Sequence, residues 1–230
     1  MKIMTYKKIC ILFFICFYVN SNEVSLYSAK YSFQSDDFSV TGVREFLSDE
    51  NGYELKFNAS NFIATLNFSS KFDLKNEEVI SKNYDINIKP KFLDRDQSVT
   101  FNNEPKTISS VGRNIWTSNT ENSTNVLDPL NAQIMIRSNI SKGMASFELD
   151  IIDMQKGGYE KYLFNLIATE KCEYDGKEYQ CLVVERTKQD SKRVINYSII
   201  KELGYIFLKI TDEDEGTINK LELKELLSLG

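Results

Sequence analysis

From Leu26 onward the chain alternates apolar and polar residues with a period of two, and this pattern most narrows what it can fold into. Tyr53, Leu55, Phe57 and Ala59 are interleaved with Glu54, Lys56 and Asn58; Phe62, Ala64, Leu66 and Phe68 follow, interleaved with Thr65 and Asn67. Successive side chains of a strand point to opposite faces, so such segments bury one face and wet the other. The runs are punctuated by turn residues. Ser35-Asp36-Asp37 separates Tyr27–Phe33 from Phe38–Leu47, and Asp49-Glu50-Asn51-Gly52 precedes the strand at Tyr53. Asn-Gly tolerates the positive φ that tight hairpins require.

The same style continues from Lys71 to Pro90, with Val79, Tyr84, Ile86 and Ile88 as inward candidates. Ser98–Phe101 and Lys106–Ser110 read as a hairpin around Asn102-Asn103-Glu104. Gly112 to Asn125, rich in Ser, Thr and Asn and carrying the single Trp at 116, reads as a long loop. One helix is expected: Asp128 is a good N-cap, Pro129 suits the first helical position, and Leu130, Ile134 and Ile136 follow before Gly143. Phe147–Asp153, Tyr159–Lys171, Tyr179–Lys188 and Arg193–Ile200 read as further strands. Tyr205–Thr211 and Thr217–Lys224 then close the chain as a hairpin. With 15 Phe and 12 Tyr favouring pleated, half-buried surfaces, the expected fold is mainly β. It is a strongly curved antiparallel meander wrapped round a helix.

The N-terminus has the pattern of a secretory signal. Lys2, Lys7 and Lys8 are followed by an apolar run of 11 residues, Ile9 to Val19, and by Val19-Asn20-Ser21 before Asn22. The run falls short of the roughly 20 residues that span a bilayer. Cleavage after residue 21 is therefore expected, an uncleaved N-terminal anchor being the other reading. Cys16 follows Phe14-Ile15, not the small residues that precede a lipidated cysteine. Residues 22–230 then form one domain without a transmembrane segment, and the compartment is the periplasm. Of 28 basic residues 25 remain, against 33 acidic, a formal charge near −8. Such a balance speaks against nucleic acid as a partner. Cys10 and Cys16 leave with the signal, and Cys172 and Cys181 become a disulfide candidate in an oxidising compartment. Asp175-Gly176 marks a turn between them. If Gly176 and Lys177 form the loop, the two cysteines face each other; if Asp175 and Gly176 form it, Cys172 faces Tyr179 instead.

The chain contains no histidine. That removes Ser-His-Asp and Cys-His nucleophilic systems, His-ligated metals and His general bases. Ser198-Ile199-Ile200-Lys201 has the Ser-x-x-Lys spacing but falls at the end of a strand without its partner motifs. Asp212 to Gly216 lacks the calcium-loop register, with glycine fifth and Leu223 twelfth. Neither catalysis nor a metal or cofactor is expected.

Several short motifs resemble domain-of-unknown-function family 3108, uncharacterised envelope proteins of Gram-negative bacteria. They are the aromatic strand Tyr27–Phe33, Ile88-Lys89-Pro90 with Arg95, and Asp128-Pro129-Leu130 running to Arg137. In the second half they are Lys161-Tyr162, Asp175-Gly176, Val184-Glu185-Arg186 and Asn196-Tyr197 through Gly204 to Ile210. The chain departs from the family at Tyr197, where Trp is frequent, and at Phe207, where Pro is frequent. The resemblance implies a LolA/LolB-like open half-barrel with one or a few helices on its concave side, a fold whose relatives bind acyl chains.

Fold does not fix function, so the functional expectation rests on the excess of large apolar residues on alternating strands. Phe57, Phe62, Leu66 and Phe68 are candidates to line a site for a lipid or lipoprotein acyl chain, as against simple core. An envelope assembly partner acting through exposed sheet edges is the alternative. A hydrolase working through carboxylates alone would need two acids facing each other in a cleft.

Overall fold

The computed structural model describes residues 24–35, 39–62, 64–90 and 95–230; the expected signal, residues 1–21, lies outside them. The first half is an antiparallel meander of β1 (Tyr27–Gln34), β2 (Ser39–Asp49), β3 (Gly52–Ser60), β4 (Thr65–Lys75), β5 (Glu78–Lys89), β6 (Gln97–Asn103), β7 (Lys106–Gly112) and β8 (Trp116–Asn119). Then come β9 (Val126–Leu127) and the helix α1 (Asn131–Ser141). The second meander is β10 (Ser146–Ile152), β11 (Tyr159–Tyr174), β12 (Lys177–Thr187), β13 (Val194–Ile200), β14 (Ile206–Asp214) and β15 (Thr217–Leu229). All fifteen strands form one sheet in the order β8-β7-β6-β5-β4-β3-β2-β1-β15-β14-β13-β12-β11-β10-β9. The first and last strands, β1 and β15, pair antiparallel and so weld the two meanders together. The sheet stays open, with β8 and β9 as its edges.

The period-two pattern places the core. Tyr27, Ala29 and Tyr31 of β1, Val40 and Phe46 of β2, and Leu55, Phe57 and Ala59 of β3 all face inward and are buried. Val79 and Tyr84 are both buried although an even phase cannot contain both. A bulge reconciles them: Lys71 pairs Asn83 and Phe72 pairs Ser81, so Lys82 is the extra residue and the inward phase shifts by one. The expected loop from Gly112 to Asn125 is partly strand. Ser110 pairs Trp116, and β8 follows β7 at the sheet edge.

The helix crosses the concave side. Nine of its eleven residues are buried, among them Ala132, Ile134, Ile136, Arg137 and Ile140. Asp128 caps it from three residues ahead of its first regular turn. Asp128 Oδ1 accepts the N–H groups of Leu130 (2.8 Å) and Asn131 (2.9 Å), and Asn131 Oδ1 accepts the N–H of Asp128 at 2.9 Å. This is a reciprocal capping box with Asn in the returning position. Asp128 Oδ2 accepts the Ser70 hydroxyl of β4 at 2.6 Å, and Asn131 Nδ2 donates to Ser81 Oγ of β5. Burial pushes the Asp128 carboxyl up to about 7, against the lowering effect of these donors. At its other end the helix reaches the second meander through Arg137. Its Nε donates to the carbonyl of Tyr205 and its Nη2 to those of Ser25 and Gly204, at 2.8–3.1 Å.

The expected disulfide is present between Cys172 and Cys181, with Cα atoms 5.7 Å apart. The loop is Asp175-Gly176, with φ of 51° and 68°, a primed turn needing positive φ at both central residues. Cys172 therefore faces Tyr179 and Cys181 faces Glu170. The bond runs diagonally across the ladder instead of joining directly opposed residues. Among the described residues no helix is long and apolar enough to cross a membrane.

Candidate functional site

A cavity of about 360 Å³ opens between the two meanders, beside the start of the helix. Its size falls within the range of about 300–1,000 Å³ typical of small-molecule sites. Phe57 of β3 and Leu66 and Phe68 of β4 form one wall, and Ile195, Tyr197, Ile210 and Leu221 of β13, β14 and β15 form the opposite one. Leu130 and Gln133 close it from the helix side. Cross-strand pairing explains the first wall. Phe57 is opposite Phe68 in the ladder, their ring centres 6.5 Å apart, and Leu66 is opposite Ala59.

Three of the four sequence candidates thus lie together in the lining: Phe57, Leu66 and Phe68. Phe62 does not. It is 96% exposed at the turn between β3 and β4, where Ala64 N–H bonds back to Asn61 Oδ1. The alternation through Phe62 is interrupted by this turn, and β4 begins only at Thr65.

Four cations and one carboxylate complete the lining: Arg44, Arg186, Arg193, Lys220 and Asp212. Arg193 and Lys220 are exposed and Arg186 half-buried, so this part of the lining faces solvent. Arg193 grips Asp212 bidentately, with Nε–Oδ1 at 2.8 Å and Nη2–Oδ2 at 2.5 Å. The pair raises the arginine's pKa further above its ordinary value, mainly through the hydrogen bond to Asp212. Arg186 lies over the ring of Tyr162, its Cζ 4.3 Å from the ring centre.

Arg44 differs from these. It lies on β2 in phase with Val40 and Phe46 and is 1% exposed. Its ladder partners are Ala29 on one side and Phe57 on the other. The guanidinium sits 5.8 Å from the ring centres of both Tyr31 and Phe207. Nε, Nη1 and Nη2 are all buried without a hydrogen-bond partner. Cation–π contacts return on the order of 2 kcal/mol in a desolvated site, whereas the effective desolvation penalty of a buried ion is several kcal/mol. The site is thus electrostatically uncompensated. Gln133 Oε1 is a second buried polar atom of the lining without a partner. Sequence reasoning missed Arg44. The available signal was a charged residue at an inward position of an otherwise apolar strand face.

The sequence profile of the family described as protein of unknown function (DUF3108) matches residues 52–224. The chain belongs to that family. The DUF3108 match runs from the start of β3 into β15; Arg44 precedes it. No curated protein matches the chain. Among solved structures, the crystal structure of a beta-barrel-like protein of domain of unknown function DUF1849 from Brucella abortus is similar. The identity is 12% and the TM-score 0.61, over 89% of this chain and 98% of that one. At that identity the likeness concerns the fold alone, and it agrees with the open, barrel-like sheet of this DUF3108 chain.

Proposed function

We propose that the protein is an exported, periplasmic binding module, without enzymatic activity, that takes an apolar ligand such as a lipid or lipoprotein acyl chain into the cavity. The observation that carries this reading is the cavity itself: the sheet and helix bury a continuous core elsewhere, yet leave a mainly apolar space between the two meanders. Export is supported by the signal pattern of residues 1–21 and by the disulfide, which suits an oxidising compartment. A hydrolase with two facing acids gains no support, because the lining contains one carboxylate, Asp212, and Arg193 holds it.

Protein purified from its native envelope, extracted and analysed by lipid mass spectrometry, should release lipid well above a control protein. Leu66→Trp, which fills the cavity from its β4 wall, should lower the amount recovered. Lipid at the level of the control would overturn the reading. The open edges β8 and β9 favour a second reading, an assembly partner engaged by strand addition. Cross-linking in cells that recovers one protein partner and no lipid would decide for it.

A further inference from the structure

Arginine stays protonated at any physiological pH, and Arg44 is held inside the fold with three donor nitrogens unbonded. Buried donors are ordinarily hydrogen-bonded and buried cations ordinarily paired. No ion pair among the described residues includes Arg44. In the other fully buried arginine, Arg137, only Nη1 lacks a partner, and three carbonyls accept from Nε and Nη2. Arg44 is among the residues that line the cavity, next to Phe57; its guanidinium lies behind that surface, near Tyr31 and Phe207, so a ligand head group reaches it when the lining side chains part. A second observation agrees: four cationic side chains and one carboxylate line this space in a chain whose formal charge is −5.

We propose that Arg44 anchors the carboxylate of a long-chain fatty acid, bound head-inward with its chain along Phe57, Leu66 and Phe68. A planar guanidinium matches a carboxylate with two parallel hydrogen bonds. One carboxylate also neutralises one cation, whereas a phosphate monoester brings up to two negative charges against the single buried cation. This inference rests on the apolar-ligand reading and specifies its ligand.

Binding of palmitate, hexadecanol and hexadecyl phosphate to the delipidated mature chain tests it. The wild-type protein should bind palmitate at least tenfold more tightly than hexadecanol, equivalent to about 1.4 kcal/mol, and more tightly than hexadecyl phosphate. Arg44→Met should bind palmitate and hexadecanol alike; Arg44→Lys, which keeps the charge but loses the fork, should retain part of the preference. Palmitate and hexadecanol binding equally to the wild type would overturn the anchor while leaving the apolar-ligand reading standing. Binding of neither would overturn both. A preference that survives in Arg44→Met but disappears in Lys220→Met would move the anion to the rim and overturn the proposal, as would tighter binding of hexadecyl phosphate. Should Arg44→Met fail to fold, the wild-type comparison and Arg44→Lys still decide.

Discussion

Cys172 and Cys181 are bonded across β11 and β12 although neither is the other's ladder partner; Tyr179 faces the first and Glu170 the second. The right-handed twist of paired strands brings one of the two diagonals of a ladder closer than the other. The observed Cα separation of 5.7 Å lies in the range a disulfide spans. Thiol alkylation of the unreduced, denatured protein should therefore modify neither residue, and both after reduction. The bond closes a short loop, so reduction should lower stability by about 2–3 kcal/mol in the chain-entropy model. Two modified cysteines without reductant would disprove the bond.

Asp128 makes stability depend on pH. Its folded pKa, about 7, lies above the ordinary carboxylate value. Between those two values the folded state holds a proton that the unfolded state has released, so stability falls as pH rises. The contribution is complete below about pH 4 and lost as pH passes through about 7. Asp128→Asn keeps a cap acceptor and has no charge to bury. Its stability relative to wild type should therefore improve steadily from pH 4 to pH 8 in urea unfolding. A difference independent of pH would show that the carboxyl is not raised. Asp128→Ala should cost about 1 kcal/mol from the lost cap alone.

The elements that hold these groups were legible to different degrees. Alternation located β1 to β4 and the second meander because burial on one face writes period two into the sequence. It failed at Phe62, where a turn residue happened to continue the phase; Val79 and Tyr84, both expected inward, are both buried, but only the bulge at Lys82, which the sequence does not announce, lets one strand hold them in opposite phases. Trp116–Asn119 lacked a signal because an edge strand needs no second apolar face. The cysteine pairing depended on φ at Asp175, which the sequence leaves open. The cavity was least legible: Phe57 and Phe46 read alike along the chain, yet only the first lines the empty space.

Gly42 marks a close approach that admits no side chain. A Cβ built there would lie 2.6 Å from both Ala59 Cβ and the Asn58 carbonyl oxygen, and 2.8 Å from Phe57 Cε2. The backbone contact cannot be relieved by rotating a side chain. Gly42→Ala should destabilise the protein by about 1–3 kcal/mol, as overpacked cores do. Because Phe57 must shift, ligand retention should fall as well. Unchanged urea midpoints would mean that β2 and β3 leave room for a methyl group at Gly42.

The two buried arginines should respond oppositely to the same substitution. Arg137 donates three hydrogen bonds to the carbonyls of Ser25, Gly204 and Tyr205, and lies over Tyr27 with Cζ 4.9 Å from its ring centre. Burial pulls its pKa down to about 10, and it still carries its charge at neutral pH. Arg137→Met would leave these three carbonyls without their donor in a buried seam where the helix meets the second meander. Each hydrogen bond to a charged group contributes about 1.5–3 kcal/mol, so losing the three should cost at least about 4–5 kcal/mol. Arg44 gives up nothing comparable, since its nitrogens bond to no group among the described residues. Replacing it with an apolar side chain of similar length removes a desolvation penalty that no ion pair offsets. Arg44→Met in the ligand-free protein should therefore unfold within about 1 kcal/mol of wild type or above it. Urea unfolding of both variants at pH 7 gives the comparison. An Arg44→Met loss as large as that of Arg137→Met would show that the guanidinium also ties the apo fold together, and the anchoring role would then stand or fall on palmitate against hexadecanol in the wild type and in Arg44→Lys.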